Sequence, residues 1–237
     1  MYTPGVYKGN VNNVQVQKRN ICRVDDLGLI EYQKAYELQK RCLEEVAFGG
    51  VQRLLLCEHP LVITLGRLAK RENIFLSEPE LAAKGFELYA VDRGGDVTLH
   101  APGQLVVYPI LDLRRALGGD LRAYLRQLEQ VAIDLLSSFG IVANRISGKT
   151  GVWVGDKKIA SVGIGVKKWV SCHGLALNVN TDLAYFSLMR PCGMDVEMTS
   201  LARLKGQPID MAFVKSKMIE CFMRTFGLVP KKAKEYF

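Results

Sequence analysis

No run of apolar residues in this 237-residue chain approaches the roughly 18 that a membrane-spanning helix needs. The N-terminus also lacks the charged, apolar and small-residue succession of a secretory leader, so the expected location is the cytoplasm, away from membranes. Cysteines stand at positions 22, 42, 57, 172, 192 and 221, with no Cys-x-x-Cys pair and no spacing suited to a disulfide framework, so reduced thiols are expected. No Pro-, Ser- or Gly-rich linker and no break in composition divides the chain, which argues against two domains. Phosphate-binding signatures are missing too. There is no Walker loop, and Gly163-x-Gly165 runs on into Val166-Lys167-Lys168 in place of a third glycine and a helix.

What is present suits a globular protein: 49% hydrophobic and 24% charged residues exclude extensive disorder. The formal charge is +8. Its basic residues are dispersed, with only Lys231-Lys232-Ala233-Lys234 as a cluster, and no nucleic-acid motif accompanies them. An acidic protein partner is therefore expected rather than nucleic acid.

Residues 1–20, polar and rich in Asn, Gln and Gly, read as an N-terminal arm, and 21–237 as a single domain. Between Ile30 and Phe48, Ala35, Leu38, Cys42, Leu43 and Val46 recur at helical spacing before Gly49-Gly50. Leu54–Cys57 and Leu61–Leu65 predict two buried strands joined tightly through Glu58-His59-Pro60. Ser77 and Glu80 form a capping box for a short helix stopping at Gly85. Further strands are predicted over 86–91, 97–100, 105–111, 151–154, 158–166 and 175–179. The longest helix opens at Asp120, a good N-cap, and a last one runs from about Pro208 to Gly227. Strand clusters broken by a few long helices indicate α+β, with a mixed, largely antiparallel sheet packed by helices.

Four places concentrate chemistry. Arg93-Gly94-Gly95-Asp96-Val97-Thr98-Leu99-His100 puts glycines where a ligand can approach the backbone and an arginine that suits an anion or acyl arm, although an elaborate hairpin explains the glycines equally well. Ser161-Val162-Gly163 and Gly165 place glycines within an apolar strand, which fits a ligand approach or a bulge. Cys172-His173-Gly174-Leu175-Ala176 brings a thiol and an imidazole together. A zinc set of Cys57, His59, Cys172 and His173 is disfavoured because adjacent side chains of a strand point to opposite faces, so no metal is expected. Lastly, Cys192 lies between Pro191 and Gly193, where the backbone turns and the sulfur is approachable, and Lys158 is a candidate base for it. His173 is an alternative partner for Cys192.

Taken in order, RGGDVTLHAPGQLVVYPILDL, GVWVGDKKIASVGIGV, HGLALNVNTDL and PCGM resemble the successive motifs of the lipoyl(octanoyl) transferase family, from about Cys22 weakly and from His59 to Met194 strongly. Ala101 stands where that family often has Gly, and residues 1–20 have no counterpart; neither removes a group the chemistry needs. The resemblance implies the fold of biotin and lipoate protein ligases, with Cys192 as acyl-accepting nucleophile and Lys158 as the lysine that activates it. It also implies an acyl site lined by Arg93 to His100, Ser161 to Gly163 and Gly174 to Ala176. The implied donor is octanoyl-acyl carrier protein. The implied acceptors are lipoyl domains of 2-oxoacid dehydrogenase complexes and the glycine cleavage carrier, and the enzyme is expected to act as a monomer without a cofactor. A thioester donor already carries the energy for transfer, so ATP is not needed. An ATP-dependent ligase of the same fold and a silent acyl-binding module are the competing readings.

Overall fold

The computed structural model describes residues 20–193 and 195–232; the expected arm lies, apart from Asn20, outside the described residues. The apolar runs form two sheets. The larger has eight strands in the order β11-β1-β2-β6-β10-β9-β8-β7. These are β1 (Ile21–Leu29), β2 (Gln52–Glu58), β6 (Gln104–Ile110), β7 (Asn144–Ile146), β8 (Lys149–Val154), β9 (Lys157–Lys167), β10 (Val170–Asn178) and β11 (Val229–Lys232). The smaller sheet is β4-β3-β5, from β3 (Val62–Leu65), β4 (Glu87–Ala90) and β5 (Val97–His100). Strand β1 pairs parallel with β2 and β11, and the other neighbours in the large sheet are antiparallel. The sheet is thus mixed and largely antiparallel, as expected.

Helix α1 (Tyr32–Ala47) connects β1 to β2 and makes one β-α-β unit at the head of the chain. Short helices α2 (Glu78–Ala83), α3 (Leu113–Leu117) and α5 (Leu201–Lys205) serve as connectors, while α4 (Leu121–Ser138) and α6 (Met211–Phe226) are long. Ser77 and Glu80 form the expected box, and the Asp120 carboxylate accepts from Arg122 N at 2.9 Å and Ala123 N at 3.0 Å. Helix α6 starts three residues beyond Pro208, because Asp210 is the residue that caps it, accepting from Ala212 N.

The expectation of two strands joined at Glu58-His59-Pro60 is met in position, yet they do not share a sheet. Pro60 has no N–H with which to extend the ladder. The chain leaves the large sheet after β2 and enters the small one at β3. Strand β10 begins at Val170, five residues before the predicted start.

The faces of the large sheet follow from side-chain parity. Leu54, Leu56, Leu105 and Leu177 point toward α4 and α6, where Leu128, Leu135, Met218 and Phe222 complete a dry core. Leu55, Cys57, Val106 and Ala176 point the other way, toward Ala35, Cys42 and Val46 of α1. Burial on both faces explains the unbroken apolar run of β2. A third cluster, Ile63, Val97, Leu99, Phe186, Met189 and Met198, lies against the small sheet.

Candidate active site

On the α1 side, a cavity of about 50 Å³ opens between β5, β6, β9 and β10. Its borders include Arg93, Gly94, Gly95, Thr98, His100, Ser161, Val162, Gly163, His173, Gly174, Leu175 and Ala176 from the residues expected by sequence, and Tyr32, Val106 and Tyr108, which sequence reasoning missed. Asp96, Val97 and Leu99 are not among them. Val97 and Leu99 fill the core of the small sheet, and Asp96 turns toward the segment around Gly193.

Glycines make the space. Gly163 of β9 and Gly174 of β10 are directly paired. A Cβ on Gly174 would collide with the Val107 carbonyl oxygen and lie 2.6 Å from Pro109 Cδ, so only glycine allows β10 to lie this close to β6. The loop before β5 is tied down on both sides: Gly94 N–H donates to Ile164 O at 2.8 Å, and the Arg93 guanidinium donates to Thr64 O at 2.8 Å, Thr64 Oγ1 at 2.9 Å and Gly94 O at 3.1 Å. Arg93, expected against a ligand's anion, has these donors directed at the protein itself.

Lys158 reaches this side of the sheet through a break in alternation. Val152 pairs with Ala160 and Trp153 with Lys158, so Ile159 is one residue too many on β9. Ile159 and Ala160 both enter the dry core, and Lys158 is returned to the face of Ser161 and Gly163. There it is 1% exposed, with Nζ 5.5 Å from the Trp153 ring. Gly151 leaves its path open, since a Cβ there would lie 2.6 Å from Lys158 Cε. The Lys158 backbone is held by the segment following Cys192: its N–H donates to Glu197 O, and its carbonyl accepts from Thr199 N, both at 2.9 Å.

Cys192 lies in a 3-10 turn, Pro191–Gly193; its side chain is outside what is described. Asp96 organises this turn. Its carboxylate accepts from Asn73 Nδ2 at 2.6 Å and from the N–H groups of Lys70 and Val97, and an added Cβ on Gly193 would lie 2.5 Å from Asp96 Oδ2. Arg190 N–H donates to Asn73 O at 2.8 Å. The turn is thereby seated against β5 and the loop of residues 66–73. Cys22, Cys42, Cys57, Cys172 and Cys221 are all buried, and burial raises the pKa of each, that of Cys172 to about 12.

All three histidines border or adjoin the cavity. His59 Nδ1 lies 2.7 Å from Ile30 O, and a carbonyl only accepts, so Nδ1 donates and Nε2 accepts from the Tyr108 hydroxyl at 2.9 Å. Burial lowers His59 to about 4 and His100 to about 3, the latter also through His59, so both rings are neutral. His173 instead meets Asp92, whose carboxylate accepts from His173 Nε2 at 2.7 Å and from the Tyr36 hydroxyl at 3.0 Å. The His173 contact, chiefly, holds Asp92 well below the usual carboxylate range.

The expectation that Cys172 and His173 point to opposite faces is not met. His173 has φ +57°, outside strand geometry, and its ring swings onto the Cys172 side. Ligand-type atoms of Asp92, Cys172 and His173 lie within 4.8 Å of one another, whereas Cys57 and His59 form a separate pair at 3.5 Å. In this cluster His173 and Asp92 already satisfy each other by hydrogen bonding.

The cavity thus lies against β9, the strand that carries Lys158, and against β5, on which the Pro191–Gly193 turn is seated. Residues 31–223 match the lipoyl protein ligase A/B catalytic domain. An octanoyltransferase of Solibacter usitatus (strain Ellin6076) is 46% identical over 209 residues, covering 88% of this chain and 94% of that protein. One from Geobacter sp. (strain M21) is 47% identical over 190 residues, covering 80% and 88%. The crystal structure of a lipoate-protein ligase A bound with ATP superposes with a TM-score of 0.75 over 91% of this chain and 90% of that one; at 16% identity the likeness is one of fold. The chain belongs to the octanoyltransferase family.

Proposed function

We propose that this protein moves an octanoyl group from acyl carrier protein, through a thioester on Cys192, to a lysine of a lipoyl domain, either of a 2-oxoacid dehydrogenase complex or of the glycine cleavage carrier. One observation carries the choice of nucleophile: the five described thiols are buried with raised pKa, and Cys192 is left, in a turn braced by Asp96 beside the cavity. In the first step the Cys192 sulfur attacks the octanoyl carbonyl carbon. Lys158 takes the Cys192 proton and steadies the thiolate. The new C–S bond forms as the donor's breaks, and Lys158 passes that proton to the donor sulfur as it leaves, so that its amine is neutral again for the second step. In the second step the acceptor amine attacks the same carbon, the C–N bond forms, Cys192 departs as thiolate, and the amine proton passes to Lys158.

The cavity supplies selectivity. Each buried methylene contributes roughly 0.8 kcal/mol, so an eight-carbon chain is separated from short acyl groups by the length it can bury. The +8 charge steers acidic carrier domains toward the enzyme. No helix among the described residues is long and apolar enough to cross a membrane, and the proposed setting is the cytoplasm, with the enzyme acting as a monomer.

The test is intact mass after incubation with octanoyl-acyl carrier protein. A hydroxylamine-labile octanoyl adduct is expected on the parent, absent from Cys192→Ala and slowed in Lys158→Ala. An active parent without an adduct overturns the thioester route. Activity that needs free octanoate and ATP identifies the ligase alternative.

A further inference from the structure

Four groups run in line from the cavity to the backbone beside Lys158, and the far end fixes the direction of each hydrogen bond. Thr199 O only accepts, so Asn178 presents Nδ2 to it at 3.0 Å. Asn178 Oδ1 then accepts from Gln104 Nε2 at 2.9 Å. Gln104 has Oε1 left for His100, whose Nδ1 is 2.7 Å away. An amide oxygen cannot donate, so Nδ1 carries the proton and Nε2 the lone pair. His100, Gln104, Asn178 and Thr199 are all buried, and Thr199 N–H donates to Lys158 O at 2.9 Å.

We propose that Gln104 and Asn178 are positioning residues, which hold His100 in its neutral Nδ1–H form so that Nε2 accepts a hydrogen bond from the attacking amine, and which tie that ring to the strand segment beside Lys158. The proposal rests on the transfer reading above. In the first step Cys192 attacks as a thiolate, its proton already on Lys158, whereas the amine of the second step brings an N–H. An acceptor in the cavity therefore serves the second step. Around His100 stand Tyr32 from α1, stacked at 6.2 Å, His59 at 5.7 Å from the turn before β3, Arg93 from the loop before β5 and His173 from β10. None is a carboxylate, and burial keeps the ring neutral.

The tautomer is read on ¹⁵N-labelled parent protein by long-range ¹H–¹⁵N correlation. His100 should show a protonated Nδ1 and a bare Nε2 from about pH 8 to about pH 6. The opposite tautomer, or an imidazolium, overturns the proposal whatever a variant does. Gln104→Glu keeps an acceptor for Nδ1, loses the donor to Asn178 and sets a carboxylate against the ring. His100 should then protonate near neutrality, and amine-dependent deacylation should fall about tenfold from about pH 8 to about pH 6 relative to the parent. Acylation of Cys192 should be unchanged. Equal loss in both half-reactions, or a pH profile like the parent's, refutes the positioning role. A parent that never acylates, by contrast, counts against the thioester route itself.

Discussion

Toward α4 and α6, strands β9 and β10 present Ala160, Ile164 and Leu177 to a core of aliphatic and aromatic side chains; toward α1 they present Ser161, Gly163 and Ala176 to the cavity. The dry side keeps regular alternation apart from Ile159 and Ala160, which both enter it. The cavity side needs departures from it: the extra Ile159 that returns Lys158 to this face, the left-handed His173, and glycines where side chains would close the space. Stability and chemistry are thus divided between two faces of the same strands, and the division can be attacked from either side.

The largest effect on stability is expected from the dry side. Leu177→Ala removes a fully buried side chain from the core and should cost about 2–5 kcal/mol in denaturant unfolding. Transfer per folded molecule should match the parent. A large loss of kcat with intact stability would show that the faces are not separable. On the other side, Gly151→Ala places a methyl group 2.6 Å from Lys158 Cε and 2.6 Å from Ala160 O, at a φ of +122°. Displacing a catalytic group by about 1 Å costs about a hundredfold, so with Lys158 in the role proposed for it kcat should fall by that order, beyond what any stability loss accounts for. Activity within about tenfold of the parent would refute the view of Gly151 as the slot for Lys158.

These departures from alternation are also where the sequence is hardest to read. Strand β5 and the Asp120 and Ser77 caps are legible because they depend on residue type within a few positions. The glycine motifs mark close approach for the same reason, without separating a ligand from a hairpin or a bulge. A bulge has no side-chain signature, so the face on which Lys158 falls is not legible from alternation. A positive φ at histidine is equally silent, which is why Cys172 and His173 read as opposed. Strand β1 carries Asp25 and Asp26, which mask it as a strand; Asp25 is paired there with Arg23 and Arg53. Tyr32, Val106 and Tyr108 border the cavity from segments spelled like ordinary core, and the switch of sheets at Pro60 depends on what β3 finds to pair with, which lies beyond local sequence.

The mildest test separates the faces by acid. On the cavity side His59 and His100 are neutral when folded, at about 4 and about 3, against an ordinary value of 6.5. Between those values the unfolded chain binds more protons than the folded one, so stability rises with pH in that window and is lost as pH falls below about 6.5. Each group contributes up to about 1.4 kcal/mol per pH unit, and half-titration around 6.5 makes the loss about 2.7 kcal/mol for the pair between pH 7.5 and pH 5.5. Asp92 acts lower: its depressed folded pKa gives stability that is present above its ordinary 3.8 and lost as pH falls through and below it. Urea unfolding of the parent at the two pH values should show the loss, and His100→Gln should show about half of it. Equal stability at both values would mean that these imidazoles are not held neutral in the fold.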